Sequence, residues 1–283
     1  MKRAGRLLVI VIAALVLAAC SMVRVAYNNA SPLGAWMVDD YFDLQDGQKD
    51  FVRVRLARAL AWHRESELPE YRKFLLDLIS RTQGPVTPDD ARWADVAMRS
   101  FYHRALERLM PDMAEFIEKL DPEQATTLAR RFEEENAKAA KERNKGAADE
   151  RLERRTRRFI DYVEDWTGTL DASQRELITA RYAEMPEITA EWLVDRRFRQ
   201  SETIALMRAK LPREQTIAGL RRLLIDSEGW RDPAYVAKLK LRDRQFYEIV
   251  AALSVTLTPE QRVRIHKRLR GYLEDVSSLM AAN

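Results

Sequence analysis

From residue 33 onward, apolar side chains recur every third or fourth position, the spacing that gathers them on one face of an α-helix. Leu33, Met37, Tyr41 and Leu44 form a first stripe, and Val52, Leu56 and Leu60 a second. Leu68, Tyr71, Leu75 and Leu78 make a third, after a turn expected at Ser66–Glu67. Trp93, Val96, Ala97, Phe101 and Leu106 make a fourth, which Pro111 should break or kink before Met113, Phe116 and Leu120. Later stripes run through Leu152, Phe159, Val163, Trp166 and Leu170, then through Tyr235, Leu239, Phe246, Val250, Leu253 and Leu257. The last carries Val263, Leu269, Val276 and Met280. No run alternates as a strand does. The pattern predicts an all-α fold, a multi-helix bundle of amphipathic helices filling residues 33–283.

Residues 133–158 depart from that pattern, because Glu133, Glu134, Glu135, Lys138, Lys141, Glu142 and Arg143 lead into Arg151, Arg154, Arg155, Arg157 and Arg158 with few apolar positions between. A long exposed helical hairpin or a connector is expected there, bent at Asn144–Gly146. It would divide possible halves at 33–135 and 150–283. The arginines, with Glu150 and Glu153 among them, read first as a solvated helix face, and second as a contact for anionic lipid headgroups or an acidic partner.

Leu-x-x-x-Gln recurs at Leu44/Gln48, Leu120/Gln124, Leu170/Gln174, Leu211/Gln215 and Leu257/Gln261. Asp121-Pro122-Glu123-Gln124 and Thr258-Pro259-Glu260-Gln261 have the chemistry of helix starts: a capping side chain, Pro at the first helical position, and a Gln that reaches back to the cap amide. Gln48 and Gln215 lack a standard cap residue and make weaker members. If the Gln serves only as a capping partner, Glu should replace it without loss. The other reading is contact with unfolded clients, because Leu257–Gln261, with Thr258, resembles the Leu-Thr-x-x-Gln motif of small periplasmic helical chaperones.

Charge and the first twenty residues change the picture more than bulk composition does. The net charge of +4 includes Lys2, Arg3 and Arg6. Without them 45 basic groups face 44 acidic ones, too even a balance for a nucleic-acid partner. Behind those cations, Leu7–Ala19 is an unbroken apolar run of 13 residues. As a helix it reaches ~20 Å, short of the ~30 Å hydrocarbon core, so residues 1–19 read as a signal peptide. Leu17-Ala18-Ala19-Cys20 resembles the bacterial lipobox. That resemblance implies cleavage before Cys20, a diacylglyceryl group on its thiol and an acylated amine, palmitate being the expected chain. Residues 20–32 would then be a lipidated tether, and the membrane a partner through Cys20. Ser21, in place of Asp, favours the outer membrane by the same resemblance, with the body in the periplasm.

Tyr27-Asn28-Asn29, the stretch from Trp36 to Asp43, Gln48, Leu60-Ala61-Trp62-His63-Arg64 and Glu67-Leu68-Pro69 make a distinctive set. Together with the block from Glu150 through the arginines to Trp166, Leu170 and Gln174, they resemble a family of uncharacterised lipoproteins of Gram-negative envelopes. The resemblance implies an all-helical, lipid-anchored protein and brings no catalytic residues with it.

Reactive chemistry is sparse. The three His, His63, His103 and His266, have no partners at metal-ligand spacing, the nine Gly form no phosphate loop, and the one Cys is the lipidation candidate. Asp39, Asp40, Asp43 and Asp46 form an acidic cluster better explained by salt bridges than by a cation. No cofactor and no catalytic or metal site is expected. Trp36, Asp40, Tyr41, Trp62, His63 and Arg64 are candidates for contact with an envelope protein partner. The sequence thus favours a scaffold that binds without catalysis, then a chaperone-like module, then an enzyme on cell-wall or lipid substrates.

Overall fold

The computed structural model describes residues 22–282. Residues 22–28 are helical. The elements that follow are α1 (Ala30–Phe42), α2 (Asp46–Trp62), a π-helical turn (His63–Glu67), α3 (Leu68–Arg81), α4 (Pro88–Lys119), α5 (Pro122–Arg143) and α6 (Ala148–Thr167). Then come α7 (Ala172–Ala183), α8 (Thr189–Ala209), α9 (Arg213–Leu224), a 3₁₀ turn (Ser227–Gly229), α10 (Pro233–Thr256) and α11 (Pro259–Ala281). Among the described residues there is no strand, and the fold is the all-α multi-helix bundle that the periodicity predicts.

Two helix boundaries differ from the pattern. The expected turn at Ser66–Glu67 is absent, and the chain stays helical from Asp46 to Arg81 through the π turn. Pro69 has no amide proton to give, and just before it the Leu68 amide bonds five residues back, to the His63 carbonyl. Pro111 likewise lies inside a continuous α4. Some stripe residues face outward: Leu33, Met37, Val96 and Val263 are exposed, because helical spacing marks a face without saying what covers it.

Among the described residues, three groups of buried side chains hold the bundle. Leu44, Val52, Met110, Ile117, Leu120 and Leu128 pack with Ile204, Met207 and Leu220. Ile160, Leu170 and Ile178 pack with Ile249 and Leu253. Leu68 meets Val276 and Leu279, where α3 lies along α11. Stretches 33–135 and 150–283 therefore share cores, since α8 and α9 complete the first and α11 closes on α3.

The charged stretch is a helix–turn–helix bent at Asn144–Gly146, with Gly146 at φ +81° where an L side chain would be strained. Only residues 141–150 are exposed throughout. Earlier, α5 lies on α8, and buried Asn136 gives its amide to Gln200 at 2.7 Å and accepts from Arg196 at 2.8 Å. The segment is thus less exposed than its composition suggests.

Candidate functional site

Four of the five recurrent glutamines are buried and meet in two pairs. Gln48 and Gln124 exchange amide hydrogen bonds of 2.9 and 2.8 Å, and Gln174 and Gln261 do so at 2.9 and 3.0 Å. Each oxygen also accepts the amide of its own helix cap: Gln45, Asp121, Asp171 and Thr258 respectively. Each side-chain nitrogen also reaches a carbonyl at or just past a helix C-terminus, on Lys119, Phe42, Thr256 and Thr169. The cap chemistry read from the sequence is present, but it uses only the oxygen. The nitrogen ties two distant helix starts together, a donor role that a Glu carboxylate does not supply. Gln215 is exposed, because its N-cap is Pro212, which has no amide proton to close a reciprocal cap.

The six candidate contact residues do not converge on one surface. Asp40 pairs with Arg131 at 3.2 Å, and the Tyr41 hydroxyl donates to Glu135, so both fasten α1 to α5. His63 lies between two phenols, Tyr27 at 2.9 Å and Tyr71 at 3.2 Å. Burial lowers its pKa, with nearby Glu67 opposing. Arg64 donates to the Ala282 carbonyl and to Asn28, and Trp62 packs at the edge of His63. Trp36 is strongly exposed, at 66%, and Asp40 is exposed as well. In the acidic cluster, Asp39 accepts the Leu44 amide at 2.9 Å and pairs with Lys49. Among the described residues no group of three or more His, Cys, Asp or Glu could hold a metal ion. Cys20 lies outside the described residues.

An apolar cavity lies elsewhere among the described residues. Phe159, Val163 and Trp166 on α6 face Phe246, Val250, Leu253 and Leu257 along α10 and its end, with Ile265 of α11 beneath and Val86 at the rim. They line an open cavity of about 270 Å³, just below the usual range of ligand-pocket volumes. The α6 and α10 stripes were legible as apolar faces, and both contribute to the second core. Between them, however, the faces leave an opening that residues of α11 and of the loop after α3 also line.

Polar groups at the cavity are few and mostly occupied. The Ser254 hydroxyl accepts the Val86 amide at 2.9 Å and donates to the Ala251 carbonyl at 2.7 Å. His266 Nε2 donates to the Thr82 carbonyl at 2.9 Å, while its Nδ1 is buried with no partner among the described residues. The site can therefore take up hydrocarbon, with His266, the Tyr162 phenol and the Arg262 guanidinium as polar groups at its lining. It holds no nucleophile paired with a base.

The model of a family of unknown function matches residues 40–235. No curated protein and no solved structure matches the chain. Among the described residues, no helix is long and apolar enough to cross a membrane.

Proposed function

The chain belongs to that family, DUF6279, and we propose that it is a lipid-anchored envelope protein that binds an apolar ligand without turning it over. The observation that carries this reading is the open cavity between α6, α10 and α11, where apolar atoms supply most of the lining surface although Thr167, Ser254, Arg262 and His266 also border it. Burying hydrocarbon there gains about 25 cal/mol per Å² of apolar surface. Anchoring through Cys20 at the outer membrane, with the body in the periplasm, remains the reading of the leader. The exposed Met22, Val25, Leu33, Trp36 and Met37 support it, as an apolar face directly after the anchor. The chaperone reading draws less support, because four of its five glutamines are turned inward.

The test uses the full chain in phosphatidylcholine nanodiscs with labelled methyl groups, titrated with octanol. Saturable shifts should appear at Val163, Val250, Leu253 and Ile265, leave Leu128 unmoved, and vanish in Val250→Trp. Absent or indiscriminate shifts would rule out the cavity as the binding site.

A further inference from the structure

Phe159 and Tyr162 belong to two walls at once. On one side they line the apolar cavity, and on the other a cleft of about 320 Å³ between α5, α6, α8 and α10. Arg143, Arg155, Arg158 and Arg242 converge on that cleft from three helices, and Arg151 and Arg154 line a smaller hollow that shares Arg143, Arg155 and Arg158. Only two carboxylates, Glu187 and Glu142, line these hollows. Glu187 binds Arg155 and also accepts the amides of Ile188 and Thr189. Among the described residues no carboxylate forms an ion pair with Arg143, Arg151, Arg154, Arg158 or Arg242.

A solvated helix face would spread such charges apart. Here Arg143 lies 3.9 Å from the centre of the Trp192 ring, and Arg242 is fixed by a 2.7 Å bond to the Pro186 carbonyl. Arg155 is four-fifths buried, and its Nε has no partner among the described residues. Burial, reinforced by Arg242, Arg151 and Arg158, lowers its pKa. Guanidinium groups brought together around the largely buried Arg155 are stabilised by an anion that accepts from several of them, and a phosphate offers the oxygens to do so.

From this juxtaposition we infer that the ligand is an anionic amphiphile whose hydrocarbon chain enters the cavity and whose phosphate-bearing end sits in the arginine cleft. The inference rests on the binding reading above and adds the chemistry of the head. Phe159 and Tyr162 form the join, with Phe159 stacked on Tyr182 at 5.2 Å and edge-on to Phe246 at 6.1 Å. They give the boundary between head and tail an aromatic wall.

Calorimetry on the full chain in phosphatidylcholine nanodiscs, corrected with empty discs, separates the terms with three probes: octyl phosphate, octanol and inorganic phosphate. Octyl phosphate should bind at least about tenfold more tightly than either other probe, as expected when charge-assisted hydrogen bonds add to hydrocarbon burial. Arg143→Gln and Arg158→Gln, at exposed side chains without ion pairs, should each weaken octyl phosphate about tenfold and leave octanol unchanged. Equal binding of octanol and octyl phosphate, or arginine variants without effect, overturns the head-group site. Inorganic phosphate binding as tightly as octyl phosphate shows a separate anion site and overturns the joint ligand. Octanol failing to bind while phosphate binds would instead remove the apolar-cavity reading, so the two failures are distinguishable.

Discussion

Gln174 and Gln261 are separated by 87 positions and exchange two amide hydrogen bonds, each also accepting the cap amide of its own helix. The starts of α7 and α11 are thereby fixed to one another, and Gln48 with Gln124 does the same for α2 and α5. An amide is the group that suits both halves of this exchange, since it carries a donor and an acceptor on one rigid plane.

Gln174→Glu should therefore destabilise the protein by about 3 kcal/mol at neutral pH, because a buried carboxylate would face the Gln261 oxygen and the Thr256 carbonyl with no proton to give. Burial raises the pKa of such a Glu in the folded state. The loss should be small below the unfolded value of about 4.3 and grow as pH rises through the folded value. Gln215→Glu, at an exposed position, should change stability by less than about 0.5 kcal/mol. Urea denaturation of both variants at pH 4 and pH 7 checks the contrast, and equal costs at the two positions would remove the paired-amide role.

His63 makes a pH prediction of its own. Its folded pKa lies below the ordinary 6.5, chiefly through burial. The unfolded chain then takes up the proton first as pH falls, so the stabilising contribution is full above 6.5 and is lost as pH drops through the folded value. His63→Gln should flatten the dependence of the urea midpoint on pH just below 6.5. An unchanged slope would show that the ring titrates freely.

Glu67 is 3% exposed, and Arg104 grips it with two bonds of 3.0 and 2.7 Å. Removing the arginine leaves a buried charge, so Arg104→Met should cost about 2–3 kcal/mol, below the full range for buried pairs because Arg104 is partly exposed. Arg130→Met, which breaks a surface pair with Glu134, should cost less than about 1 kcal/mol. Thermal melts of the two variants decide, and similar midpoints would count against the buried pair.

Anchoring is proposed to depend on Cys20. Cys20→Ala should accumulate as an uncleaved precursor without fatty-acid label, and cleaved, labelled protein from that variant would end the lipoprotein reading.

Much of the fold was legible because helical periodicity survives in a single sequence. The Asp121 and Thr258 helix starts were visible in their cap residues, and so was the bend at Asn144–Gly146. Other features depend on partners far along the chain. Nothing local distinguishes Gln48 from Gln215 until Pro212 is seen to lack an amide proton and Gln124 arrives from 76 positions away. The cavity was hidden for a similar reason, since Val163 and Val250 look the same in sequence whether they touch or stand apart. The arginines of α6 read as a solvated face because Arg143 and Arg242, which complete their cleft, come from other helices.

Photo-crosslinking the full chain in its native membrane with a diazirine-bearing alkyl phosphate, followed by peptide mapping, tests the binding site most directly. Labelling should concentrate on the peptides of α6, α10 and α11 that carry Val163, Val250 and Ile265, and fall away in Val250→Trp. Labelling confined to the exposed α1 face around Trp36, or spread evenly over the surface, would contradict the cavity as the place where this protein binds its ligand.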